Sequence, residues 1–160
     1  MQATDELIIR KATAADIAGI LACLRAAFEP YRSAYTPQAY LDTVLTQHSI
    51  YPRLWSMEVL AAVTDENNLV GTIAYAGASK EEGHLRGMAV LPDWQGRGLA
   101  SRLLLAAETE LAKGVCTRIT LDTTEPLERA MHFYEKHGYR RSGKVTDFFR
   151  MPLHEYSKNL

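Results

Sequence analysis

The fold class this sequence predicts is a mixed α/β domain: one mostly antiparallel sheet with a central splayed pair of parallel strands and flanking helices. Three observations carry the expectation. Apolar positions change along the chain between a period of two and a period near 3.6. The polar turn Asp65-Glu66-Asn67-Asn68 separates two strand-like runs, as in a hairpin. An apolar strand, a long helix and a second strand then follow one another between His84 and Thr124, the order of a right-handed crossover joining parallel strands.

The elements follow in order. "LIIRKA" (Leu7 to Ala12) reads as a strand, and Thr13 with Asp16 forms a capping box ahead of Ile17, Ile20, Leu21, Leu24 and Phe28, the apolar stripe of a helix. Thr36-Pro37 offers an N-cap with proline at the first helical position, and Leu41, Val44, Leu45 and His48 share one face of a second, shorter helix. "MEVLAAVTD" and "NLVGTIAYAGA" form the hairpin, and "HLRGMAVL" is a third antiparallel strand before Pro92. A helix from Gly98 to about Lys113 ends at Gly114, "RITLDTT" is a strand, Pro126 begins a helix that Gly138 stops, and a polar β tail runs to about His154. The expected order is β-α-α-β-β-β-α-β-α-β-β.

Length and charge bound the function. The chain has 160 residues with 47% hydrophobic, enough for one core, and is read as a single domain over 1–160. Lys and Arg number 18 against 19 Asp and Glu, a net charge of −1, so neither nucleic acid nor an anionic membrane is an expected partner. No apolar run approaches the roughly 18 residues of a membrane span, and Met1 to Lys11 lacks the layout of a signal peptide, so a cytoplasmic location is expected. Cys23 and Cys116 have neither metal spacing nor disulfide density and are read as reduced, mostly buried thiols; no metal site is expected.

"MAVLPDWQGRGLASRLL" concentrates the chemistry. The first turn of a helix carries main-chain N–H groups with no intrahelical partner and a partial positive charge, and glycine lets an anion approach them closely. Gln95, Gly96, Arg97, Gly98, Leu99 and Ala100 therefore make a phosphate cradle, with Arg97 as a charged donor. On local chemistry alone the glycines serve equally well to turn the chain. Ser101 stands where a third dinucleotide-motif glycine belongs, and no Gly-Lys-Ser/Thr follows as in a P-loop. In the preceding strand Leu85, Met88 and Val90 share an apolar face at spacings of three and two, which requires one extra residue near Arg86-Gly87. A bulge there splays the strand from its parallel neighbour and frees main-chain groups for an extended, amide-bearing ligand.

These residues resemble the acetyl-CoA-binding motif of the GCN5-related N-acetyltransferase (GNAT) family, with Gln95, Gly96, Gly98 and Ala100 matching position by position. "PLERAMHFYEKHGYR" is similar to a second family motif through Ala130, Phe133, Tyr134, Glu135, Lys136, Gly138 and Tyr139. The resemblance implies the acyl-CoA N-acyltransferase fold and transfer of the acetyl group of acetyl-CoA, the co-substrate, to a primary amine by direct attack in a ternary complex. The pantetheine arm would pair with main-chain groups of Met88, Ala89 and Val90, and the pyrophosphate would lie on Gln95 to Ala100.

Two further groups are needed, a base for the protonated amine and an acid for the departing thiolate. The resemblance of "FYEKHGY" implies Tyr134 as the acid, although its spacing from Leu127, Ala130 and Met131 also fits a core aromatic. His84, where relatives often carry Glu, is the candidate base, with Glu58 or a water chain as competitors. Acceptor specificity is expected from Phe28, Tyr31, Tyr35 and Tyr40 together with Glu29 and Arg32, Arg32 holding a substrate carboxylate; the same aromatics serve equally to pack the loop. The acceptor stays open among a small-molecule amine, an amino acid and a peptide N-terminus. A catalytically silent acyl-CoA-binding or interaction module with the same fold is the alternative. Homodimers are common in the family, so self-association is a further expectation.

Overall fold

The computed structural model describes residues 6–79 and 81–160. Residues 1–5, part of the stretch read above for a signal peptide, lie outside the described residues. The elements are β1 (Ile8–Lys11), α1 (Ile17–Phe28), α2 (Pro37–Thr43), α3 (Ile50–Ser56), β2 (Glu58–Val63), β3 (Leu69–Gly77), β4 (Glu82–Val90), α4 (Leu99–Ala112), β5 (Arg118–Thr124), α5 (Glu128–Lys136), β6 (Arg140–Phe148) and β7 (Met151–Asn159). One seven-stranded sheet has the order β1-β2-β3-β4-β5-β7-β6. Every neighbouring pair is antiparallel except β4 with β5, which are joined through α4. The fold class is therefore as predicted.

The two faces of the sheet bury separate clusters. On one, Leu99, Leu103, Leu104, Ala107 and Leu111 of α4 pack with Leu60, Ile73, Leu85, Val90, Ile119 and Leu121. On the other, Ile17, Ile20, Leu21 and Leu24 of α1 pack with Val44, Leu45, Ile50, Val59, Ala74 and Ala89. The stripe expected in α1 is the buried one, and ahead of it Asp16 accepts from the Thr13 N–H at 2.7 Å and pairs with Arg10 at 2.7 Å. Burial pushes the Cys23 thiol up to about 12, so it stays protonated and inert. Among the described residues no helix is long and apolar enough to cross a membrane.

Three expectations need correction. The second helix starts as predicted, with Thr36 Oγ1 accepting from Ala39 N–H at 3.3 Å, but it ends at Thr43. Val44 and Leu45 are buried beyond it, and His48 is exposed in a turn. A third helix, α3, follows: Thr46 and Ser49 bond each other's main chain and reverse the direction, and Pro52 fits because first-turn N–H groups need no helical acceptor. The helix expected from Pro126 begins at Glu128. The last strand runs to Asn159 rather than about His154, since β5 pairs with it throughout, from Thr124–Leu153 to Arg118–Asn159.

Candidate functional site

The parallel pairing of β4 with β5 is short. It joins Glu82 through Leu85 to Arg118 through Leu121 and stops there. On its other edge β4 remains registered with β3, but Ala74 opposes Arg86 while Thr72 opposes Ala89, so one residue is extra between them. Gly87 takes φ +63°, and this is the expected bulge. Leu91 N–H bonds Val70 O at 2.9 Å on the β3 side; alternation then turns the main-chain groups of Val90, and of Met88 two residues earlier, toward the open side, while Ala89 stays registered with β3. Val90 O accepts from Gln95 Nε2 at 3.0 Å, which ties the strand to the loop after it.

A cleft of about 700 Å³ fills the gap. Its lining runs from the His84-to-Val90 edge of β4 past Gln95, Gly96, Gly98, Leu99 and Ala100, with Thr123 and Thr124 of β5 and Phe133 and Tyr134 of α5 facing them. At the cradle Gly96 and Gly98 have φ +78° and +79°, where an L side chain is strained, and a Cβ on either would meet nothing within 4 Å. Gly98 caps α4, whose first helical bond, Arg102 N–H to Gly98 O at 3.2 Å, leaves the Leu99, Ala100 and Ser101 N–H groups for an incoming anion. Arg97 is exposed, with its guanidinium 4.6 Å from the centre of the Trp94 ring. His137 Nδ1 lies 2.8 Å from Phe133 O and so carries the proton; Nε2 accepts from Ser101 Oγ at 3.0 Å, binding α5 to the first turn of α4.

Tyr134 packs edge-on to Phe133 and Tyr139, at 5.3 and 5.9 Å between ring centres. Its hydroxyl has no hydrogen-bond partner among the described residues, and burial raises its pKa well above that of a free phenol. At the opposite wall His84 Nδ1 lies 2.8 Å from Thr120 Oγ1 and Nε2 lies 3.6 Å from Asp122 Oδ2. Burial lowers the His84 pKa against the pull of Asp122, and burial raises that of Asp122 against the pull of His84. Desolvation thus favours the uncharged form of each partner, while their mutual attraction favours the charged forms.

The expected acceptor residues divide. Phe28, Tyr31 and Tyr35 line the cleft, and Tyr35 shares a 2.6 Å hydrogen bond with Thr124, pinning this segment to β5. Arg32 does not line it: its exposed guanidinium lies 3.8 Å from Glu29 and over the Tyr40 ring at 5.1 Å. Glu58 is also outside, exposed at the start of β2 with Lys11 at 3.7 Å, and β3 stands between that strand and β4. Sequence reasoning missed Asp122, Thr123 and Arg53. The one carboxylate in a strand otherwise of Arg, Ile, Leu and Thr was the available signal for Asp122. The Thr123 hydroxyl is buried at the cleft without a partner among the described residues, and nothing in its sequence context distinguishes it.

The family model described as "Acetyltransferase (GNAT) family" matches residues 21–139. No curated protein matches the chain in sequence. Among solved structures, a GNAT-family acetyltransferase from Staphylococcus aureus Mu50 superposes with TM-score 0.78 at 18% identity, covering 97% of this chain and 99% of that one. The PaiA N-acetyltransferase of Thermoplasma acidophilum, in complex with coenzyme A, gives 0.79 at 18% identity over 97% and 99%. N-acetylglutamate synthase from Neisseria gonorrhoeae, complexed with coenzyme A and N-acetyl-glutamate, gives 0.74 at 17% identity, covering 99% of this chain and 36% of that one.

Proposed function

Since this chain belongs to the acetyltransferase (GNAT) family, we propose that it moves the acetyl group of acetyl-CoA to a primary amine by direct attack in a ternary complex. The observation that carries this reading is the continuity of the open edge of β4 with the cradle at Gly96–Ala100 within one cleft. An amide-bearing arm pairs along Met88 and Val90 while a pyrophosphate rests on the first turn of α4, and the orphan Thr123 hydroxyl supplies a further donor facing them. The amine nitrogen attacks the thioester carbon; a C–N bond forms, the C–S bond breaks, and the amine proton passes to the His84–Asp122 pair. Tyr134, kept protonated by burial, presents its O–H to the sulfur as negative charge develops there.

The reading has a direct test. Acetyl-CoA at 100 times its Kd is expected to stabilise the fold by about 2.7 kcal/mol, with NAD and ATP doing little. Thermal denaturation with each ligand measures this, and equal protection by NAD would overturn the assignment of Met88 to Ala100.

His84 has its own signature. Because its pKa is lowered, the imidazole stays neutral to more acidic pH than a free one and loses its function only as pH falls through the lowered value. An amine acceptor alone gives log kcat/KM a slope of one below the amine pKa. Wild type is expected to steepen to two below the His84 pKa, and His84→Gln to keep the slope of one. A variant with the wild-type break excludes His84 as the base.

A further inference from the structure

Arg53 projects from α3 beneath the bulge of β4. It keeps only 9% of its surface, on the same helical face as Ile50, yet it makes no hydrogen bond or ion pair with any described residue. Its guanidinium lines the cleft, and Nη1 lies 2.5 Å from where a Cβ on residue 87 would stand, so the glycine there leaves the space that the cation fills. The charged neighbours offer it no counterion. Arg86 repels it, and Asp42, the acidic group near enough to attract it, is committed to Arg86 at 2.5 Å. Burial, with Arg86 second, brings its pKa down to about 10, which still leaves it charged at neutral pH. A buried, unpaired cation is costly to keep in a fold, and the cost is recovered when a ligand brings the opposite charge.

The place of Arg53 selects that ligand. The phosphate cradle lies past the far end of β4, at Gly96 to Ser101, whereas Arg53 stands at Gly87, before Met88 and the stretch assigned to the arm of acetyl-CoA, in the same cleft that Phe28 and Tyr31 line. We infer that Arg53 binds the carboxylate of the acceptor, which is therefore an amine of the amino-acid class rather than a simple alkylamine. This rests on the transferase reading above. A guanidinium matches a carboxylate through two parallel N–H donors, and a carboxylate entering by the cleft meets it without displacing another counterion.

The test compares L-amino acids with the corresponding L-amino acid amides as acceptors, following thiol release from acetyl-CoA. The amide carries the less basic amine, so more of it is unprotonated and any preference for the acid cannot come from the nucleophile. Wild type is expected to favour the acids by about 10–100-fold in kcat/KM, the factor of a charge-assisted pair. In Arg53→Gln the ratio should fall below about threefold. Arg53→Met, which removes an unpaired buried charge and keeps the stem, should melt no lower than wild type, and its ratio should fall likewise. Equal use of acids and amides by wild type, or a preference that survives in either variant, overturns the inference. Stabilisation by acetyl-CoA with neither acceptor set acetylated overturns it too, whereas absence of any acetyl-CoA binding overturns the transferase reading itself.

Discussion

Tyr134→Phe is expected to lower the single-turnover rate of acetyl transfer by about 10²–10⁴-fold while acetyl-CoA affinity and melting temperature stay near wild type. The expectation of unchanged stability comes from the structure: the phenol makes no hydrogen bond to a described residue, so its removal orphans nothing, and the ring contacts with Phe133 and Tyr139 remain. A core tyrosine with a satisfied hydroxyl would behave in the opposite way, losing about 1–3 kcal/mol of stability with turnover per folded molecule preserved. Single-turnover measurement is the deciding one, because slow product release would mask a chemical defect in steady state. Full single-turnover rate in the variant removes Tyr134 from the chemistry.

Gly98→Glu attacks the other end of the cleft. Like charges held about 4 Å apart in a partly screened site repel by about 4 kcal/mol, so acetyl-CoA affinity is expected to fall by about 10³-fold. The fold should survive, since a Cβ at residue 98 meets nothing within 4 Å. Left-handed strain, about 1–2 kcal/mol for a non-glycine residue, is isolated by Gly98→Ala, which adds the strain without the charge. Calorimetric titration beside circular dichroism separates the two terms, and unchanged affinity in Gly98→Glu would move the phosphates elsewhere.

The sequence exposed those parts of the site that are built from local backbone chemistry. The bulge was readable because Leu85, Met88 and Val90 break a strict alternation, and the cradle because Gly96 and Gly98 stand directly before a helical stripe. The α3 segment escaped for the converse reason. Pro52 and two exposed aromatics, Tyr51 and Trp55, leave no apolar period in it, and only its packing against the sheet makes it a helix. Arg53 escaped with it, since arginine is ordinarily exposed and its burial depends on where α3 docks. Arg32 erred in the other direction: it is close in sequence to three cleft aromatics, but the short helical turn at Glu29–Ala34 points it at Glu29 and Tyr40.

The single surplus residue at the bulge also acts as a parity setting. Leu85 and Val90 are an odd number of positions apart, which in a regular strand would place them on opposite faces, yet both join the cluster under α4 while Ala89 joins the cluster under α1. Drawing Gly87 into a regular ladder, with no residue removed, would exchange every downstream assignment, bringing Val90 to the α1 side and delivering the chain into its next helix from the wrong side of the sheet. A helix launched from that side could return to β5 only through a left-handed connection, which parallel units almost never make. The same one-residue irregularity that opens an edge for a ligand thus also fixes the chirality of the chain's path around it.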